Sequence, residues 1–288
     1  MQPLPAFRAR LRRGWNRFRP LPKPRYVSPA PHAASRFAPG VFQTPNVSTL
    51  ANAALSCEAR SHVTRALEEL TPSEEIDGQV AFYRLCEAQF GGYWRFADLT
   101  TVLWAAATFV KPATYLEVGV RRGRSAAVVG SVAPDCEIYG LDVWTQDYAG
   151  GANPGPDFVR AELANAGHRG EVALLSGRSQ ETLPALLRER TDLYFDLITI
   201  DGDHSLMGAA TDLANALPRL KVGGIVALDD IGRAPALRRA WRELVEEDSR
   251  FVAWQFTEAG FGVAAAIRVG DEPLLDTIRR AAVHTGRG

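Results

Sequence analysis

Five short β-rich runs, at 114–118, 137–141, 172–175, 195–200 and 224–228, alternate with stretches of helical pattern. A strand that returns through a helical crossover comes back parallel to its predecessor. A parallel sheet must then be covered by helices on both faces, and ligands bind outside the carboxyl ends of its strands. Two more β-like runs, 251–256 and 261–269, flank Gly260 too closely for a crossover, so they pair only as an antiparallel hairpin. The expected fold is therefore α/β, with a seven-stranded, mostly parallel sheet whose last strand is antiparallel. Motifs at strand ends carry the chemistry.

The chain has 288 residues, 46% of them hydrophobic, enough for one large α/β domain with extensions. Its longest apolar run, 100–110, is far shorter than the ~20 residues of a membrane-spanning helix. Cys57, Cys86 and Cys136 lie far apart and odd in number, which suggests neither a disulfide framework nor a zinc site and favours a reducing, cytoplasmic setting. Net charge is zero, but of the 33 Lys and Arg residues nine fall in 1–57, which has no acid, leaving 24 against 33 acids in the remainder. An acidic body argues against nucleic-acid binding.

Four segments are expected: a basic, Pro/Arg-rich flexible tail at 1–57, a helical extension at 58–112, an α/β core at 113–270, and a C-terminal helix or tail at 271–288. In the tail, Phe7, Leu11, Trp15 and Phe18 recur at helical spacing among arginines. A solvated tail, weak contact with a membrane surface or polyanion, and a targeting presequence all fit this pattern. In the extension, Thr71-Pro-Ser-Glu-Glu is a helix start with Ser73 as cap, and two or three helices are expected before 110.

The first strand runs into Leu116-Glu-Val-Gly-Val-Arg-Arg-Gly-Arg-Ser125. Gly119 and Gly123 make a turn where a ligand approaches bare backbone, yet they are not spaced as the Gly-x-Gly-x-x-Gly of a dinucleotide site. A plain tight turn is the alternative. Asp142 ends the second strand, 23 residues after Gly119, where a carboxylate accepts hydrogen bonds from ribose hydroxyls or caps a turn. The third strand leads to a small polar turn containing Ser179, suited to border an adenine ring. The fourth and fifth deliver Asp201-Gly-Asp-His204 and Asp229-Asp230. Neighbouring parallel strands bring these carboxylates together, a costly arrangement unless a cation or shared proton relieves it; oxygen ligands favour Mg²⁺. Alternatively Asp203 and Asp229 cap helices and His204 is solvated.

These three motifs, in this order, resemble the class I S-adenosylmethionine-dependent methyltransferases of the catechol and macrocin O-methyltransferase-like group, over roughly residues 113–269. The resemblance implies a Rossmann-like fold, S-adenosylmethionine as cofactor and O-methylation of a sugar-containing or other small-molecule natural product or a glycan. It implies that Glu117 and Gly119 line the methionine and ribose side, that Ser125 meets the methionine carboxylate, and that Asp142 holds the ribose. Asp201, Asp229 and Asp230 would ligate Mg²⁺, with His204 as general base. Two competing readings remain: a cephalosporin-hydroxylase-like or nicotinamide enzyme on a related fold, and a non-catalytic module. Acceptor, oligomeric state and the tail's role are not encoded legibly.

Overall fold

A computed structural model describes residues 46–146, 151 and 153–270. The arginine-rich pattern at 7–18 and the expected C-terminal helix or tail at 271–288 lie outside the described residues.

Nine α-helices and seven strands are described: α1 (Val47–Ala54), α2 (Cys57–Glu68), α3 (Glu74–Phe90), α4 (Leu99–Val110), β1 (Thr114–Val118), α5 (Arg124–Val132), β2 (Glu137–Asp142), α6 (Pro156–Asn165), β3 (Val172–Ser176), α7 (Ser179–Glu189), β4 (Phe195–Ile200), α8 (Leu206–Ala216), β5 (Leu220–Asp229), α9 (Pro235–Trp241), β6 (Phe251–Phe256) and β7 (Val263–Arg268). The sheet order is β3-β2-β1-β4-β5-β7-β6. Strands β1 to β5 pair in parallel, whereas β7 runs antiparallel to both β5 and β6. The seven strands and the antiparallel hairpin agree with the periodicity.

Side chains of the inner strands alternate between two covered faces, which is why β1, β4 and β7 are almost wholly buried, whereas the edge strands β3 and β6 are partly exposed. Tyr115 and Ile138 pack with α4, α5 and α6, while Leu116 and Tyr139 pack with α7, α8 and α9. The order reverses at β1, with β2 on one side and β4 on the other. The carboxyl ends of β1 and β4 thus flank the switch point where such sheets bind ligands.

One boundary moves. The tail was expected to run to 57, but α1 begins at Val47, just after the prolines end at Pro45. Asn46 caps it by accepting from the Thr49 N–H at 2.8 Å, and Leu50 and Ala54 are fully buried. A cap and two buried apolar residues outweigh the tail's composition. Ser73 caps α3 as expected. Buried Arg60 ties the helical layer together: Nε donates to Glu87 Oε1 at 3.0 Å, Nη1 donates to the Leu55 carbonyl at 3.0 Å, and the guanidinium lies 4.5 Å from the Trp94 ring centroid.

Candidate active site

The turn after β1 is built by close approach. The Gly119 N–H donates to the Leu141 carbonyl at 2.8 Å, and the Asp201 N–H donates to the Val118 carbonyl at 2.7 Å. Gly119 has φ 89°, and a Cβ there would fall 2.0 Å from the Asp201 carbonyl oxygen. Only glycine meets both conditions. Gly119→Ala is therefore expected to cost more than about 2 kcal/mol, because strained φ and a backbone clash add. Equilibrium urea unfolding checks this, and an unchanged midpoint would refute it. Gly123, at φ 79°, is the N-cap of α5.

Asp142 braces this turn. Its Oδ2 accepts from the N–H groups of Val120 (2.9 Å) and Arg121 (2.7 Å), and its Oδ1 accepts from Trp144 N–H (2.7 Å) and distantly from Asn153 Nδ2 (3.5 Å). A carboxylate has about four acceptor sites, so a ribose hydroxyl here competes with the long Asn153 bond. Arg121 and Trp144, the residues it holds, have positive φ of 51° and 52°.

Glu117 is fully buried on β1. Ser125, in the first turn of α5, donates its hydroxyl to Glu117 Oε1, while Oε2 is buried without a partner. Burial pushes the carboxyl up to about 8, opposed by the Ser125 hydrogen bond and reinforced by the charge of Asp201. Two residues that the sequence assigned separately thus form one buried pair.

At the ends of β4 and β5, Ile200 pairs with Leu228, so Asp201, just past β4, stands beside Asp229, the last residue of β5. His204 lies between two carboxylates, with Nε2 3.6 Å from Asp201 Oδ1 and Nδ1 3.5 Å from Asp230 Oδ2. One potential ligand atom from each of Asp201, His204 and Asp230 falls within 4.8 Å of the others. Asp229 stands outside that trio; burial first, then Asp201 and Asp230, pushes its carboxyl well above the usual range. Asp230 is held at φ 59°, a strained conformation of the kind found at functional sites. The Asp201 hydrogen bond, then Asp230 and Asp203, raise the His204 pKa against the opposing effect of burial. Asp203 does not join the cluster: its Oδ1 accepts from Ser205 N–H at 2.9 Å, a local turn.

Residues 116–231 match a family model described as a methyltransferase domain. That match takes in the parallel part of the sheet, from β1 through the end of β5. No curated protein matches the chain. Among solved structures, the S-adenosylhomocysteine-bound methyltransferase PaMTH1 of Podospora anserina is 19% identical, with 78% of this chain and 93% of that one covered and a TM-score of 0.49. The O-methyltransferase TomG of Streptomyces achromogenes, involved in tomaymycin synthesis and solved with S-adenosylmethionine, is 20% identical over 74% and 90%, with a TM-score of 0.49. CalS11, a calicheamicin methyltransferase, is 21% identical over 74% and 92%, with a TM-score of 0.47.

The candidate site also contains residues that the sequence alone did not single out. Asp98, the cap of α4, accepts from Gln79 Nε2 at 3.0 Å and from the Tyr83 hydroxyl, and its charge reaches Asp229. The Asp98-Leu-Thr-Thr101 capping box was the available signal. Buried Asp212 on α8 accepts from the Ser179 hydroxyl at 2.8 Å and from Gln180 Nε2 at 3.0 Å. Ser179, expected at the adenine, is thus tied to a carboxylate that no strand-end motif announces. Arg233 stacks 4.9 Å from the Phe261 ring centroid and lowers the Asp230 pKa against the stronger effects of burial and Asp201.

Proposed function

We propose that this domain transfers the methyl group of S-adenosylmethionine to a hydroxyl of an oxygen-rich acceptor, a sugar-containing natural product, other small molecule or glycan, with a divalent cation, Mg²⁺ first, at the strand ends. The observation that carries this is a shared wall: Gly119 of the cofactor turn packs directly on the Asp201 carbonyl, and Asp201 belongs to the Asp201–His204–Asp230 cluster. A methyl donor and a cation-bound oxygen would meet across it.

The chain's own groups fit both ligands. Glu117 Oε2, buried and unpaired, suits the ammonium of a methionine moiety, and the N-terminus of α5 beside it suits the carboxylate. Asp142, ending β2, takes the ribose side. Asp201 and Asp230 hold the cation, with Asp229 behind them. A bound Mg²⁺ supplies Lewis acidity and a fixed position for two vicinal oxygens. His204 takes the acceptor's proton at a ring nitrogen as the oxygen attacks the methyl carbon. Three carboxylates and a +2 ion leave a charge of about −1 facing the sulfonium, which strengthens binding of the charged donor over its neutral product.

Three free thiols, exposed at Cys57, partly exposed at Cys86 and buried at Cys136, suit a cytoplasmic setting. Among the described residues, no helix is long and apolar enough to cross a membrane. In isothermal titration, S-adenosylhomocysteine is expected to bind and NAD not to bind. Methyl transfer to a vicinal diol is expected to stop with EDTA and return with Mg²⁺. Binding of NAD in place of S-adenosylhomocysteine would overturn the cofactor reading; activity indifferent to EDTA would overturn the cation.

A further inference from the structure

Helix α8 carries a carboxylate that the proposed chemistry does not use. Ala209, Ala210, Leu213 and Ala216 pack into the core beneath the sheet, and Asp212 stands among them with no exposed surface. Among the described residues, the donors to its carboxylate are the neutral side chains of Ser179 (2.8 Å) and Gln180 (3.0 and 3.1 Å). A carboxylate buried against neutral donors alone costs stability that an apolar residue of similar size would not.

Those donors belong to the turn after β3. Ser176, the last residue of β3, pairs with Asp142, and the Gly177 N–H donates to the Asp142 carbonyl at 2.9 Å. The turn therefore starts beside the residue assigned to the ribose, and Ser179 opens α7 just beyond it. Ser179 and Gln180 are partly exposed, within reach of a ligand, whereas Asp212 is closed off behind them. A Cβ at Gly202 would stand 3.5 Å from Asp212 Oδ2, so the same carboxylate also backs the turn after β4. An ionised carboxylate accepts hydrogen bonds and donates none. The Ser179 hydroxyl hydrogen is committed to Oδ1, which leaves Oγ only lone pairs to offer a ligand. The Gln180 amide is settled too, since only Nε2 can donate to Asp212, and this turns Oε1 away from it.

We propose, on the S-adenosylmethionine reading above, that Asp212 is a specificity-determining positioning residue: it orients the Ser179 and Gln180 oxygens to accept, so that the cradle takes a base with an amino donor, adenine, over the 6-oxo edge of hypoxanthine. Asp212 touches no ligand and acts through the two side chains it holds.

The test titrates the full chain with S-adenosylhomocysteine and with S-inosylhomocysteine, which carry an amino and an oxo group at the same position of the base. The titrations run at about pH 8.5, where Asp212, raised to about 7 by burial, is ionised. The adenosyl ligand is expected to bind at least about tenfold tighter, because an oxo group facing acceptor oxygens leaves polar groups unpaired. Asp212→Asn keeps the volume but brings an N–H that can donate to Ser179 Oγ and free its hydroxyl to donate, so the preference is expected to shrink at least about threefold. Ser179→Ala removes one acceptor at a partly exposed position and is expected to narrow the preference likewise. A merely structural carboxylate would change both affinities alike and leave their ratio as it was. Equal affinities in the unaltered chain would overturn the inference and leave the cofactor reading standing. So would an unchanged ratio in Asp212→Asn whose melting transition shows it folded; if that variant does not fold, an unchanged ratio in Ser179→Ala decides against the inference. Failure of S-adenosylhomocysteine to bind would overturn the cofactor reading and the inference with it.

Discussion

His204→Ala is expected to lower turnover about 10²- to 10⁴-fold, the usual contribution of a positioned general base, while S-adenosylhomocysteine binding stays unchanged. The imidazole is 39% exposed and lies 3.5 to 3.6 Å from Asp201 and Asp230, so removing it leaves no cavity in the core. Its contacts are with Asp201 and Asp230 rather than with Glu117 or Asp142, which separates the two effects. Rapid-quench turnover beside isothermal titration of the product would show the split. An unaltered rate would sink the base assignment. A parallel fall in product affinity would mean that His204 supports the cradle instead.

The second large effect is on stability. Glu117 titrates at about 8 in the folded chain against 4.5 for an ordinary glutamate, because burial disfavours its charge. The folded state therefore binds more protons than the unfolded one between these values, and stability must fall as pH rises through that window. At about 1.4 kcal/mol per unit the full span is on the order of 4–5 kcal/mol, lost between about pH 4.5 and 8. Asp212, raised to about 7 by burial, adds to the same slope. We expect the melting temperature of the ligand-free protein to drop from about pH 5.5 to about 8.5, and Glu117→Gln to flatten the drop. Equal slopes in the two proteins would refute the assignment. Bound S-adenosylhomocysteine should flatten it too, since an ammonium at Oε2 lets the carboxylate ionise.

Period, turn residues and strand-end chemistry are local properties, and they made most of the sheet readable. The runs at 114–118 and 195–200 became strands with those bounds. Asp201 and Asp229 could be placed side by side because neighbouring parallel strands leave little choice of register. Ser73 declared itself as a cap by position alone. The start of the helical layer was obscured because prolines up to Pro45 masked the pattern of 47–54, whose buried Leu50 and Ala54 find partners only in the folded layer.

What tertiary structure decided is how the polar groups are spent. Sequence placed Glu117, Ser125, Asp142, Ser179 and His204 near a site. It could not show that Ser125 satisfies Glu117, that Asp142 braces Val120 and Arg121, or that Asp212 holds Ser179. Nor could it show that Asp203 turns away while His204 settles between Asp201 and Asp230. Each of these depends on distances across loops and on which charges burial forces together, and burial is set only when the whole chain has packed. Backbone pattern is written residue by residue. The pairing of buried charge is a property of the assembled molecule.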